Sequence, residues 1–372
     1  MSRTNARYVI LGAGFAGASV AYHLLKKGAK DVLLLEQEPL PGQHSSGRNA
    51  GMIRQTIFDE PLATLAYHGT QFLHHLPQEW SDVSFRRCGS LLLGKAEALG
   101  ELERAAKNAS RLHFEVQWFS KEEISKRIAL LKEGDFEKAL FCPSDGVIDI
   151  QAFLKGYLSL AQKAGLQFLK NAKPLRIERK SKTFLITTQQ ATIEADVLVN
   201  AAGAWAKEVA GSCGASEIPL NPCRRHIFYS EKREEVHPEW PFIWDVAHQF
   251  YFRPESGGVL FSPCDEEPIA PQDCPVDPAM QARLTQTLRM YLPTLAEIPL
   301  KRGVAGLRTL TPDGRFVIGF DQKLDNFFWV AGLGGHGVTA SYSIGDLASD
   351  LLLQRPHDTK LAAFFSPKRF TA

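Results

Sequence analysis

The sequence has little of several things, and each shortage closes off a class of function. Acids and bases nearly cancel: 43 Lys and Arg stand against 41 Asp and Glu, a formal charge of +2. A chain so balanced carries no electrostatic footprint for nucleic acid or another polyanion. No uninterrupted run approaches the roughly 20 apolar residues of a transmembrane segment. Six cysteines (Cys88, Cys142, Cys213, Cys223, Cys264 and Cys274) are scattered without a C-x-x-C pair or a zinc spacing. That pattern fits reduced thiols in an intracellular protein and predicts no bound metal. The opening MSRTNAR leads into an apolar stretch, 8–21, interrupted by glycines in a way that a signal-peptide core is not. A cytoplasmic location is expected. Internal repeats and low-complexity segments are also lacking.

What the chain does have begins at residues 8–36, YVILGAGFAGASVAYHLLKKGAKDVLLLE. Tyr8-Val9-Ile10-Leu11, short, apolar and bounded by glycine, reads as a buried strand. Gly12, Gly14 and Gly17 follow as G-x-G-x-x-G, with Phe15 and Ala16 inside the motif. Val20, Ala21, Leu24 and Leu25 then recur with the spacing of a helix packed on a sheet. A second apolar run, 32–35, ends in Glu36, followed by Gln37. Each part has a physical job. Gly12 permits a tight turn, Gly14 lets backbone approach a pyrophosphate, and Gly17 allows close contact of helix and strand. The helix N-terminus offers N–H groups and a positive dipole end, while Glu36 can accept hydrogen bonds from ribose hydroxyls. These residues predict a dinucleotide, with FAD and NAD both open.

At 372 residues, 44% hydrophobic and 23% charged, the chain has the make-up of about two globular domains. After Glu36, a loop rich in proline and glycine carries His44, Ser45, Ser46, Arg48, Asn49, Ala50 and Gly51. Its polar members could bond phosphate, ribose or a flavin edge, or form a surface loop. The pattern predicts a helix over 60–78, a strand over 85–93, and charged helices over 95–109 and 121–131. A further helix over 144–165 precedes short strands near 168, 175–177 and 184–187. Residues 196–200 form a buried strand running into Ala201-Ala202-Gly203-Ala204-Trp205, where small residues leave room for a ligand. From Arg224 to Arg308 the pattern changes to alternating, hairpin-like strands, interrupted by one helix. The last segment returns to the first style. A buried strand at 327–331 enters Gly332-Leu333-Gly334-Gly335-His336-Gly337, then a helix expected to start about Val338–Ser341. The fold expected is α/β: a discontinuous, Rossmann-like unit (1–84, 141–220 and 309–372) plus an α+β unit on a largely antiparallel mixed sheet (85–140 and 221–308).

HSSGRNAG, VLVNAAGAWA, TPDGRFVIG and WVAGLGGHGVTAS stand in this order from residue 44 onward. With the N-terminal unit, they make the chain resemble the D-amino-acid oxidase (DAO) family of FAD-dependent oxidoreductases over residues 8 to about 353. AAGAWA, Arg224-Arg225, FYFRP, AGLRTLTPDG and NFFWVA resemble most the D-arginine dehydrogenase type of D-amino-acid dehydrogenase. The resemblance implies non-covalent FAD. The implied cofactor contacts come from the first glycine motif (Gly12, Gly14, Phe15, Ala16, Gly17), Glu36, Gln37 and the 44–51 loop residues. They continue through Pro174, Leu175, Ala201, Ala202, Gly203, Trp205 and Gly306 to Gly332, Gly334, Gly335, His336, Gly337, Val338 and Thr339. Arg308 is the implied carboxylate ligand, Tyr251 and Arg224 further substrate-pocket residues, and His336 a contact to substrate or flavin or a loop filler.

By resemblance, the reaction is oxidative deamination of a D-amino acid to a 2-oxo acid and ammonia. Hydride passes from the α-carbon to flavin N5, the imine is hydrolysed, and quinone or O2 takes the electrons. Peripheral membrane association for quinone reduction stays open. The alternative is oxidation of a secondary or N-methyl amino acid of sarcosine, glycine or proline type. More distant is a non-catalytic flavoprotein acting in assembly. Arg86 and Arg87 stand where arginine-specific relatives carry a glutamate, and Met52-Ile53 where they carry a tyrosine. A cationic side chain is therefore not specifically expected, and a neutral or acidic one stands equally open.

Overall fold

The computed structural model describes residues 2–370. Two large sheets dominate it. The first has eight strands, in the order Arg176–Lys180, Thr183–Thr187, Ala191–Asn200, Ser2–Leu11, Val32–Leu35 and Gln167–Leu169, with Phe327–Ala331 also on Ala191–Asn200 and Val317–Phe320 beyond it. Its centre is parallel: Tyr8 pairs with Val32 on one side and Val197 on the other, and Val199 with Phe328. Apolar runs bury both faces of these strands, as a parallel sheet covered by helices requires. The helix Phe15–Lys26 crosses one face against Ser341–Leu352 and Ile150–Lys163.

That crossing is tight. A Cβ at Gly345 would meet Ser19 Oγ at 2.0 Å, and the Ser19 hydroxyl donates to the Ser341 carbonyl at 2.5 Å. Sequence pattern placed the helices well but not every end. The helix after the second glycine loop starts at Ser341, at the far edge of the range expected, and the one expected over 60–78 ends at His74.

The second sheet has nine strands. Asn221–Ser230 lies between Leu300–Leu310 on one side and Gly258–Ser262 and the short Glu267–Pro268 on the other, with Gly258–Ser262 followed outward by Phe250–Glu255, Phe242–Asp245, Ser90–Gly94, Lys138–Cys142 and Gln117–Ser120. It is antiparallel except where Phe242–Asp245 runs parallel to Ser90–Gly94. The segment expected as one strand over 85–93 is two. Gly89 (φ +81°) breaks it, sending Phe85–Arg86 to a small sheet with Met52–Ile53 and Gly146–Ile148, and Ser90–Gly94 to the large one. The expected unit boundaries at 140/141 and 308/309 both fall inside strands of this sheet, Lys138–Cys142 and Leu300–Leu310. We propose that each sheet, rather than those cut points, defines a unit.

Because Gly345 has no space beside Ser19, Gly345→Ala overpacks the helix crossing. It is expected to cost about 1–3 kcal/mol, read as a fall in thermal midpoint; an unchanged midpoint would contradict this packing.

Candidate active site

One cavity is walled at one end by Gly12, Gly14, Phe15, Ala16, Glu36 and Gln37. Gly12 has φ +101°, and a Cβ there would stand 2.5 Å from the Ala201 carbonyl oxygen. Gly17 does not line the cavity. A Cβ on it would come within 2.0 Å of the Gly12 oxygen, so its bareness seats the helix on the loop. The buried Glu36 carboxylate accepts the Ala13 N–H at 2.8 Å and the Glu38 N–H at 3.0 Å. Burial pushes this carboxyl up, against the pull of those two donors.

The 44–51 loop lines the same cavity, together with Pro174, Leu175, Ala201, Ala202, Gly203 and Trp205. Its polar side chains mostly tie the loop to neighbouring segments. Ser46 Oγ accepts the Phe15 N–H at 3.0 Å, and the Ser45 hydroxyl donates to the Leu307 carbonyl. Arg48 donates to the Ala305 carbonyl and pairs with Asp273 at 2.6 Å. Asn49 bridges the Ser46 carbonyl and the Gly51 N–H. His44 sits 2.9 Å from Glu38 Oε1, its ring against Trp205. These groups strap the loop to Leu300–Leu310 and leave backbone facing the cavity.

At the other end stand Gly306, Arg308 and the second glycine loop, with Gly332, Gly334, Gly335, Gly337 and Val338 as wall. Among the described residues, the N–H groups of Gly337 and Val338 find no acceptor within the chain. Thr339 turns away and accepts the Arg54 N–H at 3.1 Å.

Sheet register decides which arginines face this end. Arg225 pairs with Gly306 and Cys223 with Arg308, so Arg225 and Arg308 share a face, while Arg224 pairs with Leu307 on the opposite one. Arg224, named from the sequence, is therefore not in the chamber. It is bound to Glu267 and, at 3.0 Å, to Asp277. Its neighbour Arg225 lines the cavity instead, 4% exposed, with Glu266 at 2.6 Å.

Phe250 and Phe252 pack in the core on one face of their strand, while Tyr251, on the other, pairs with Trp244 and Ser262 and is fully buried without lining the cavity. Its buried hydroxyl, Trp244 Nε1, and Arg225 Nε and Nη1 all lack hydrogen-bond partners. Buried donors without acceptors are uncommon in folded proteins, and Arg225 carries two of them at the cavity wall. Burial and Arg225 push the Arg308 guanidinium below its ordinary range, yet it stays charged at neutral pH. His336 lines an adjoining pocket with Arg54, Trp244 and Glu101. Burial, Arg54 and Arg308 hold its imidazole well below the usual range, so it is neutral.

The family model described as DAO, FAD dependent oxidoreductase, matches residues 7–351. The chain belongs to this family. Its cofactor is FAD. The chain is 28% identical to 4-methylaminobutanoate oxidase (formaldehyde-forming) of Paenarthrobacter nicotinovorans, over 92% of this chain and 43% of the relative. The chain thus spans less than half the length of that relative. It is 26% identical to monomeric sarcosine oxidase of Bacillus sp. (strain B-0618), over 96% of this chain and 95% of the relative. Among solved structures, L-proline dehydrogenase from P. horikoshii superposes with a TM-score of 0.88 at 20% identity, covering 99% and 98% of the two chains.

FAD fits the residues present. Bare backbone at Gly12 and Gly14 would admit the pyrophosphate, Glu36 would meet the ribose, and the unpaired Gly337 and Val338 N–H groups would serve an electron-rich edge of the ring. Sequence reasoning missed Arg54, Arg225 as the inward member of its pair, and Trp244. The first follows the 44–51 loop directly, between Ile53 and Gln55, and that adjacency was the available signal.

In the FAD-loaded protein, Arg308→Met and Arg225→Met are each expected to weaken binding of a simple carboxylate roughly ten- to a hundred-fold. Flavin absorbance changes report that binding. Arg224→Met should leave it unchanged, and a loss equal to that of Arg225→Met would contradict this assignment of faces.

Proposed function

We propose that this protein oxidises a secondary amino acid, one whose amine nitrogen carries an alkyl substituent, to the corresponding imine. The observation that carries the reading is the pair of unmet donors on Arg225 beside the unpaired Arg308 guanidinium at the glycine-loop end of the FAD cavity, with the unmet Tyr251 hydroxyl buried close to both. A planar guanidinium binds a carboxylate through two parallel hydrogen bonds and cannot lose its charge, so Arg308 fixes the substrate's acid group. Tyr251 donates its hydroxyl to the same group, and Arg225, anchored by Glu266, strengthens the local positive field.

That field also handles the amine proton. Cations nearby disfavour an ammonium, so the substrate nitrogen is held as the free base with its lone pair available. No carboxylate base is then required, and the neutral His336 is no competitor for the anion. FAD, when bound, supplies two-electron oxidation of the carbon next to that nitrogen. The chain's residues orient that carbon and keep the acid group away from the ring. The imine then takes up water, and its C–N bond breaks to give a carbonyl compound and a smaller amine.

The names of the relatives support a secondary amine over a primary D-amino acid. Sarcosine, 4-methylaminobutanoate and proline, named for three separate relatives, all carry a carboxylate and a secondary nitrogen. Non-covalent FAD remains part of the proposal, supported by the absence of cysteine from the cavity wall.

Anaerobic mixing with matched pairs tests this. N-Methyl and cyclic amino acids are expected to bleach the flavin at least ten-fold faster than the parent primary D-amino acids. Faster bleaching by the primary amines would overturn the reading in favour of D-amino-acid oxidation.

A further inference from the structure

We infer that the chamber is built for a substrate with two carboxylates, the second of them held by Arg54. This rests on the secondary-amine reading above and names its substrate class. Arg54 follows the short strand Met52–Ile53 and lines a pocket with Trp244, Thr56, Glu101 and His336. Its guanidinium carbon lies 4.1 Å from the centre of the Trp244 ring, and its backbone is fixed by the Thr339 hydroxyl. Stacking of that kind occupies the flat face of the group and leaves the N–H edge free to grip a planar anion.

This pocket adjoins the carboxylate site. A Cβ on Gly335 would stand 3.1 Å from Arg308 Nη1, and the next residue, His336, lines the Arg54 pocket. Trp244, in turn, has its ring 5.5 Å from that of Tyr251. Arg54, Trp244, Tyr251 and Arg308 are thus neighbours, with the two guanidiniums close enough to repel each other.

Charge balance points the same way. Among the described residues, Arg48, Arg225 and Arg253 each pair with an acid, at 2.6 Å in every case, while Arg54 and Arg308 form no ion pair. The two acids near Arg54 do not supply one. Asp145 is buried and takes the Gln55 N–H and the Thr56 and Ser90 hydroxyls, and Glu101 approaches only through space. A substrate with one carboxylate bound at Arg308 would leave the Arg54 guanidinium without a counter-ion. A second carboxylate, on the nitrogen substituent or on the side chain, compensates it.

The test uses the FAD-loaded enzyme and substrates differing by one carboxylate: sarcosine against iminodiacetate, and N-methylalanine against N-methylaspartate. At least one dicarboxylate is expected to exceed its partner in kcat/KM by ten-fold or more. In Arg54→Leu the ratio should fall toward one, with Arg54→Lys between. Equilibrium binding gives a second readout through the thioether isosteres (methylthio)acetate and thiodiacetate, detected by perturbation of the flavin spectrum. Thiodiacetate should bind the tighter in the wild type and lose that advantage in Arg54→Leu. Equal treatment of mono- and dicarboxylates by the wild type overturns the inference while leaving the secondary-amine reading intact. A dicarboxylate preference that survives Arg54→Leu overturns the role of Arg54. Failure of every secondary amine to reduce the flavin overturns the reading beneath.

Discussion

At Gly17, Gly69 and Gly345 an added Cβ would stand 2.0 Å from an oxygen of another segment: Gly12, Thr339 and Ser19 respectively. Interiors this close-packed cannot absorb a methyl group without moving a neighbour. The three contacts join the first glycine motif, the helix Glu60–His74, the second glycine loop and the helix Ser341–Leu352 into one unit. Segments more than 300 residues apart in the chain are thereby held in register around the FAD cavity. The two glycine loops face that cavity because their supporting helices are pressed together behind them.

The ring end of the site is governed by sheet register instead. Side chains alternate along a strand, so a single pairing decides whether an arginine meets the substrate or the opposite face of the sheet. Arg225 opposite Gly306 faces a position with no side chain of its own. A Cβ at Gly306 would meet the Arg48 backbone and side chain, so its bareness seats the 44–51 loop, while the shared face places two cations, Arg225 and Arg308, together. Glu266 offsets part of the repulsion. The remaining positive field is what a carboxylate-bearing substrate relieves, and what keeps its amine unprotonated.

Much of the cofactor side was legible in the sequence. Apolar runs before Gly12 and Gly332 gave parallel strands, and spacing on the following helices gave their buried faces. Tyr251 was likewise separable from Phe250 and Phe252 by alternation alone. The substrate side was less legible for a physical reason. Adjacent arginines at 224 and 225 are equivalent until a partner strand assigns them to faces. Arg54 follows a two-residue strand with no periodicity to expose it, and its neighbours Trp244 and His336 are nearly 200 or more residues away in the chain. The polar loop at 44–51 has structural bonds that the sequence did not reveal. Ser45, Ser46 and Asn49 line the cavity, and their hydrogen bonds tie the loop to Leu307, to Phe15 and to itself.

The most direct measurement is a crystal structure of the FAD-loaded protein with an unreactive analogue of a secondary amino acid. The account predicts the analogue's carboxylate in bidentate contact with Arg308 and within hydrogen-bond reach of Tyr251, with the atom replacing nitrogen directed at the flavin. A carboxylate bound elsewhere, with Arg308 and Arg225 both untouched, would contradict it.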